Sequence, residues 1–191
     1  MAIHDLDPSV KQIFWGNALL VVCCAFYLAW WLLAFKPNGA ISGMRTGWLL
    51  IPALAAGLAA VILAVTGILS ASVEKTLFPG GFLLWGGIAV FLVLPVVTQV
   101  IFKRPLTTEL ILIVGWAVLA FSEINALYGS GRFSYRMAII FAVVIGVAML
   151  VSLVCYVLYY NLGAVAGYFD GMVPLLMAAL VMAGISVAMV I

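Results

Sequence analysis

The stretch Thr108 to Tyr128, TELILIVGWAVLAFSEINALY, carries the side chains best placed for chemistry in an otherwise oily sequence. Glu123 is a carboxylate, Asn125 an amide and Ser122 a hydroxyl, all within the last third of a membrane-length apolar run. An acid inside hydrocarbon is costly, and where one occurs it marks an ion or proton pathway by default. Counted from Glu109 at 1.5 Å per residue, Glu123 lies about 21 Å along the helix axis, in the outer third of a bilayer. Two readings stay open. Glu123 is a proton- or cation-binding carboxylate, or it has a bland role, as an ion pair with Arg132, Arg136 or Lys75 or simply as a headgroup-level acid. Ser122 and Asn125 share a face, while Glu123 points about 100° away from Ser122. A site can therefore use Glu123 with Ser122, but the three cannot meet at one point on a regular helix.

Gln99 is the next candidate. It follows Pro95, which removes a backbone hydrogen bond and should bend its helix, and it adjoins Thr98. Such a bend lines a cavity in some proteins and is simply re-satisfied by neighbouring helices in others. On the same side as Gln99 lie Asn161, Asp170, Tyr156, Tyr159 and Tyr160. The tyrosines read as an interfacial aromatic belt, and Asn161 as a helix cap. Asn17, early in the first apolar run, is expected to hydrogen-bond a neighbouring helix.

Other chemistry is excluded by what is missing. His4 is the single histidine and precedes the first run, so haem held by paired histidines and a His-Glu-x-x-His zinc site have no ligands here. No lysine lies mid-membrane to form a Schiff base. There is no phosphate-binding loop, hence no ATP hydrolysis by this chain alone. Cys23, Cys24 and Cys155 fall inside apolar runs, odd in number and without a Cys-x-x-Cys, and read as small hydrophobes. No cofactor, metal site or catalytic residue is expected. Phe121-Ser122-Glu123, followed by Arg132-Phe133, resembles the Phe-x-x-Ser-Asp segment of the lysoplasmalogenase family of small membrane hydrolases. The likeness is confined to that short segment, with Glu as the acid and without a second acidic motif.

The elements that must position these groups follow from composition. Of 191 residues, 68% are hydrophobic and 7% charged, against about 25% charged in soluble domains. The solvent must therefore be lipid. The net charge of +2 is too small to suggest nucleic acid as a partner. Six apolar runs, at about 8–35, 47–71, 82–102, 108–128, 137–160 and 172–191, are each near the roughly 20 residues a spanning helix needs. They lack the alternation of barrel strands. The fold expected is an all-α polytopic integral membrane protein of six transmembrane helices in one domain.

Local signals agree. Asp7-Pro8 is a helix start, with Asp7 as cap and Pro8 at the first position. Acids Asp5 and Asp7 ahead of a long first run argue for a retained helix over a cleaved signal. Lys36-Pro37-Asn38-Gly39 ends that helix. Ala53, Gly57, Ala60 and Ala64 form a small-residue stripe that lets backbones approach. Pro79-Gly80 closes the connector before the third run. Lys103-Arg104-Pro105 turns the chain into the fourth, where Thr108 is the expected cap and Glu109 suits the positive helix end. Gly129-Ser130-Gly131 ends the fourth helix, and Gly163, Gly167 and Gly171 punctuate the last connector.

With six crossings, Lys11, Lys75, Arg132 and Arg136 face one side and Lys36, Arg45, Lys103 and Arg104 the other. This tie leaves orientation open, dual topology included. Tyr27-Leu28-Ala29-Trp30-Trp31 echoes Tyr156-Val157-Leu158-Tyr159-Tyr160, and Phe102-Lys103-Arg104-Pro105 echoes Phe35-Lys36-Pro37. These echoes suggest a repeated helical hairpin. The function expected is a permease or channel-like protein for a small solute or ion, in a plasma membrane, working as a homo-oligomer or with partner membrane subunits. The alternatives are a non-catalytic subunit or scaffold of a larger complex and, third, a lipid-acting enzyme, which would need polar side chains converging at headgroup depth.

Overall fold

Long apolar runs must close their backbone hydrogen bonds within themselves when no water surrounds them, and helices do so. A computed structural model describes residues 6–35, 46–78, 82–100, 108–159 and 161–191. Among these residues the only regular elements are helices: α1 Pro8–Ala34, α2 Leu50–Ser70 preceded by a 3-10 turn Gly47–Leu49, α3 Phe82–Val100, α4 Thr108–Gly129, α5 Tyr135–Tyr159, the short α6 Ala164–Asp170, and α7 Val173–Val190. Five spans are long and apolar enough to cross a membrane: Pro8–Ala34, Gly47–Ser70, Glu109–Gly129, Tyr135–Tyr159 and Ala164–Val190. The remaining helix, α3, has 19 residues of almost wholly apolar composition. The all-α, six-helix membrane architecture expected from sequence is the one observed.

Packing fixes the order of crossings. The starts of α1 and α5 and the ends of α2 and α4 line one cleft. The end of α7 is held at the same level, where Arg132 of the α4–α5 turn donates to the Met189 carbonyl. At the opposite end, Trp31 of α1 donates to the Tyr168 carbonyl of α6 at 3.1 Å. Starting and finishing at one level requires an even number of crossings, and six satisfies it.

Glycine and alanine make the tightest seam. Ala53, Ala60, Ala64 and Gly67 of α2 are buried in its packing along α1, the most extensive of the fold. A Cβ on Gly16 of α1 would sit 2.9 Å from the Ala64 nitrogen and 3.0 Å from the Ala60 carbonyl, so the two backbones touch there. Gly57, on the predicted stripe, faces Cys23. Helix α1 also packs on α7, α4 on α5, and α5 on α7, while α3 packs chiefly on α4. The core is formed by Val10, Ile13, Ile124, Leu127, Ile145, Met182, Ile185 and Met189 with their neighbours. Outward-facing Leu54, Ile62, Leu92 and Leu180 are exposed. Leaving such a side chain in water forgoes about 1.5–3 kcal/mol, whereas lipid imposes no such penalty.

Several local expectations need correction or restriction. Asp7 does occupy the cap position and Pro8 the first turn, yet the Asp7 side chain makes no capping hydrogen bond; its carbonyl accepts from Lys11 N instead. The last connector is not an open glycine loop, because Ala164–Asp170 is helical. Glycines every fourth residue are a helical stripe: Gly167 lies under Tyr159, and Gly171 under the Trp31 ring. Asn161 does cap α5, its Nδ2 donating to the Val157 carbonyl at 3.3 Å. The bend expected at Pro95 does not interrupt α3. The side chains of Pro95, Thr98 and Thr108 lie outside the described residues, as do His4, Lys36, Arg45, Lys103, Arg104 and Tyr160 and the turns at 36–39, 79–80 and 102–105. The aromatic echoes on α1 and α5 meet at one end of the bundle, with the Trp31 and Tyr159 rings 6.0 Å apart.

Candidate functional site

The late third of α4 is where the bundle holds its most polar interior. Ala117, Ala120, Ile124 and Leu127 bury one side of this helix, and the same rotation carries Glu123 inward. Glu123 is 0% exposed and Asn17 of α1 is 1% exposed. The Asn17 amide is the polar side chain that faces the Glu123 carboxyl. Neither the two carboxyl oxygens nor the two amide atoms close a hydrogen bond of normal geometry with any other group among the described residues. Each such buried polar group costs a few kcal/mol unless something satisfies it. Two of them face to face, on helices far apart in sequence, make this pair the candidate site.

The basic residues considered as ion-pair partners do not reach Glu123. Arg132 turns its guanidinium to the Met189 carbonyl. Lys75 and Arg136 are exposed. No ion pair to Glu123 is present among the described residues, since its carboxyl oxygens have no partner there.

The other sequence candidates separate. Ser122 donates to the Val118 carbonyl of its own helix at 2.8 Å. Asn125 accepts from the backbone N–H groups of Leu77 at 2.8 Å and Phe78 at 3.3 Å, clamping the α2–α3 connector onto α4. Phe78 completes that clamp by packing edge-on against Phe121 at 5.8 Å. Gln99 is exposed on α3. Of the four, Glu123 alone is turned to another helix's unsatisfied polar group. The partner at Asn17 was visible in sequence only as an amide awaiting a neighbour, because nothing local relates positions more than a hundred residues apart.

Above the pair, at the end of the bundle that holds Asp7 and Tyr128, a cleft of about 810 Å³ opens. Asp7, Gln12, Glu74, Lys75, Tyr128 and Tyr135 are among its lining groups. Two of its hydroxyls are engaged locally: Ser70 donates to the Thr66 carbonyl at 2.7 Å, and Ser130 to the Leu127 carbonyl at 3.2 Å. Gln12 and Tyr128 mark the floor. Asn17 and Glu123 each lie five residues deeper, about 7.5 Å along their helices. Between floor and pair stand Ile13, Ile124 and Leu127, all 0% exposed.

At the far end, aromatic rings cluster among the described residues. Trp31 stacks on Phe35 at 4.5 Å and approaches Tyr159, and the Tyr168 hydroxyl donates to the Leu32 carbonyl at 3.2 Å. Among the described residues no group of three or more His, Cys, Asp and Glu side chains gathers to hold a metal ion. No family model, curated protein or solved structure matches the chain.

Proposed function

We propose that this protein is a permease or channel-like carrier for a small solute or ion, with the Glu123–Asn17 pair as its internal binding site. The observation that carries the reading is the unsatisfied carboxyl and amide buried between α1 and α4, one apolar layer beneath a polar cleft. Ionisable groups inside a bundle are rare and usually mark the route of what is carried. The asymmetry of the two ends fits a carrier caught facing one side: a cleft at the Asp7 end, stacked rings at the Trp31 end. The energy source proposed is an ion gradient or partner subunits. The working unit proposed is a homo-oligomer, or a complex with partner membrane subunits, in the plasma membrane.

Flux into proteoliposomes tests this. Candidate solutes are first chosen by whether they raise thermal stability, since a ligand that binds the folded state stabilises it. Wild type should move such a solute and Glu123→Gln should not. Equal flux in both removes Glu123 from the mechanism.

A second reading has one observation in its favour. Helix α3 packs chiefly on α4 and leaves Leu92, Val96 and Val100 exposed, as a helix would that docks a partner. As a non-catalytic subunit, the protein should co-purify with a stoichiometric membrane partner from native membranes.

A further inference from the structure

We propose that Glu123 is a proton-binding site, loaded from the cleft through the layer of Ile13, Ile124 and Leu127, with the Asn17 amide as the group that recognises the protonated acid. The inference deepens the permease reading by naming the ion, and it rests on that reading only for the use to which the proton is put.

The donor set decides between a proton and a metal cation. Glu123 and Asn17 offer three side-chain oxygens between them. The serine hydroxyls buried on the neighbouring helices are committed to their own backbones: Ser152 donates to the Ala148 carbonyl at 2.8 Å and Ser186 to the Met182 carbonyl at 2.9 Å. Hard cations take about six or more oxygens. A proton needs one. When it adds to one carboxylate oxygen, the product is a neutral acid with one donor and one acceptor. That is the complement of a carboxamide, which offers one acceptor and its own N–H donors. The ionised form only accepts, so it would set one carboxylate oxygen against the amide oxygen.

The charges nearby do not supply an alternative. On the turn before α5, Arg132 is held by Met189. Arg136 of α5 and Lys75 of the α2–α3 connector are exposed, Glu109 stands at the opposite end of α4, and Lys11 lies in the first turn of α1. From α1 the facing group is the uncharged Asn17, and α2 and α7 carry no ionisable side chain over Leu50–Ser70 and Val173–Val190. The route is short: the layer to be crossed is about one and a half helical turns deep. A transient file of water crosses such a layer far more readily than a hydrated metal ion.

Infrared difference spectroscopy of the protein in lipid nanodiscs tests the proposal, comparing wild type with Glu123→Gln at neutral and alkaline pH. Wild type at neutral pH should show a carboxylic-acid C=O stretch that is missing from the variant. That band should move to lower frequency in D2O, shift again in Asn17→Leu, and give way to carboxylate bands as pH rises. Carboxylate bands at neutral pH, with no acid band, would overturn the inference. Ile124→Thr should speed deuterium exchange of the band severalfold, and an unchanged rate would overturn the route. The flux assay stays separate. An acid band with no flux for any stabilising solute leaves the proton site standing and removes the permease reading; flux that needs Glu123 without an acid band does the reverse.

Discussion

At the scale of single residues, the pairing of Glu123 with Asn17 makes an energetic prediction. Removing one member of a buried polar pair strands the other, at about 1–3 kcal/mol, whereas replacing both with apolar groups of similar shape is close to neutral. Asn17→Leu should therefore lower thermal stability in detergent by about that amount. Glu123→Leu combined with Asn17→Leu should recover most of the loss. Additive losses in this double-mutant cycle would mean that the two side chains do not interact. Asn125 is likewise a partly buried partner, its oxygen serving two backbone N–H groups of the connector. Asn125→Leu should leave the α4 helix intact but accelerate amide hydrogen exchange at Leu77 and Phe78. Residue type alone marked Glu123, since an acid in hydrocarbon demands an account. The different tasks of its neighbours Ser122 and Asn125 were not legible, because they depend on which helix or connector lies across from each.

At the scale of elements, the α1–α2 seam depends on the absence of side chains. A methyl group at Gly16 would press on the backbone of Ala60 and Ala64, which cannot yield as a side-chain end can. Gly16→Ala should lower the melting temperature. Gly146 of α5 has open space where its Cβ would stand, so Gly146→Ala should be neutral or stabilise by up to about 1 kcal/mol through helix propensity. A thermal scan of both variants checks the contrast; equal behaviour would show that backbone approach is not what holds the seam. The seam itself was legible as Ala53, Gly57, Ala60 and Ala64 in one stripe. Helix α6 was not, because Gly163, Gly167 and Gly171 read as parts of a connector until the Tyr159 and Trp31 rings, which lie against Gly167 and Gly171, give small residues a packing purpose.

At the scale of the whole molecule, the number and direction of crossings were readable because each apolar run matches the thickness of hydrocarbon. The side facing the cytoplasm was not, since the basic residues divide evenly between the two ends. The shared cleft still fixes which connectors lie together. In a background freed of the native cysteines, Ser72→Cys and Ser134→Cys should react with an impermeant maleimide from one side of the membrane. Gly163→Cys should react from the other. Labelling of Ser72→Cys and Ser134→Cys from opposite sides would contradict the six-crossing arrangement. A mixture of both patterns in one preparation would reveal dual topology.

The chain distance between Asn17 and Glu123 also has a meaning in time. A ribosome adds about 5–20 residues per second, so the 106 positions separating them correspond to a wait of about 5–20 seconds. Throughout that interval the first helix must reside in lipid, or beside the insertion machinery, with an amide that has not yet met its acid. The newborn hairpin of α1 and α2 is thus a provisional assembly, zipped along its glycines and alanines but holding a polar group in reserve. The arrival of α4 is the event that ends the wait.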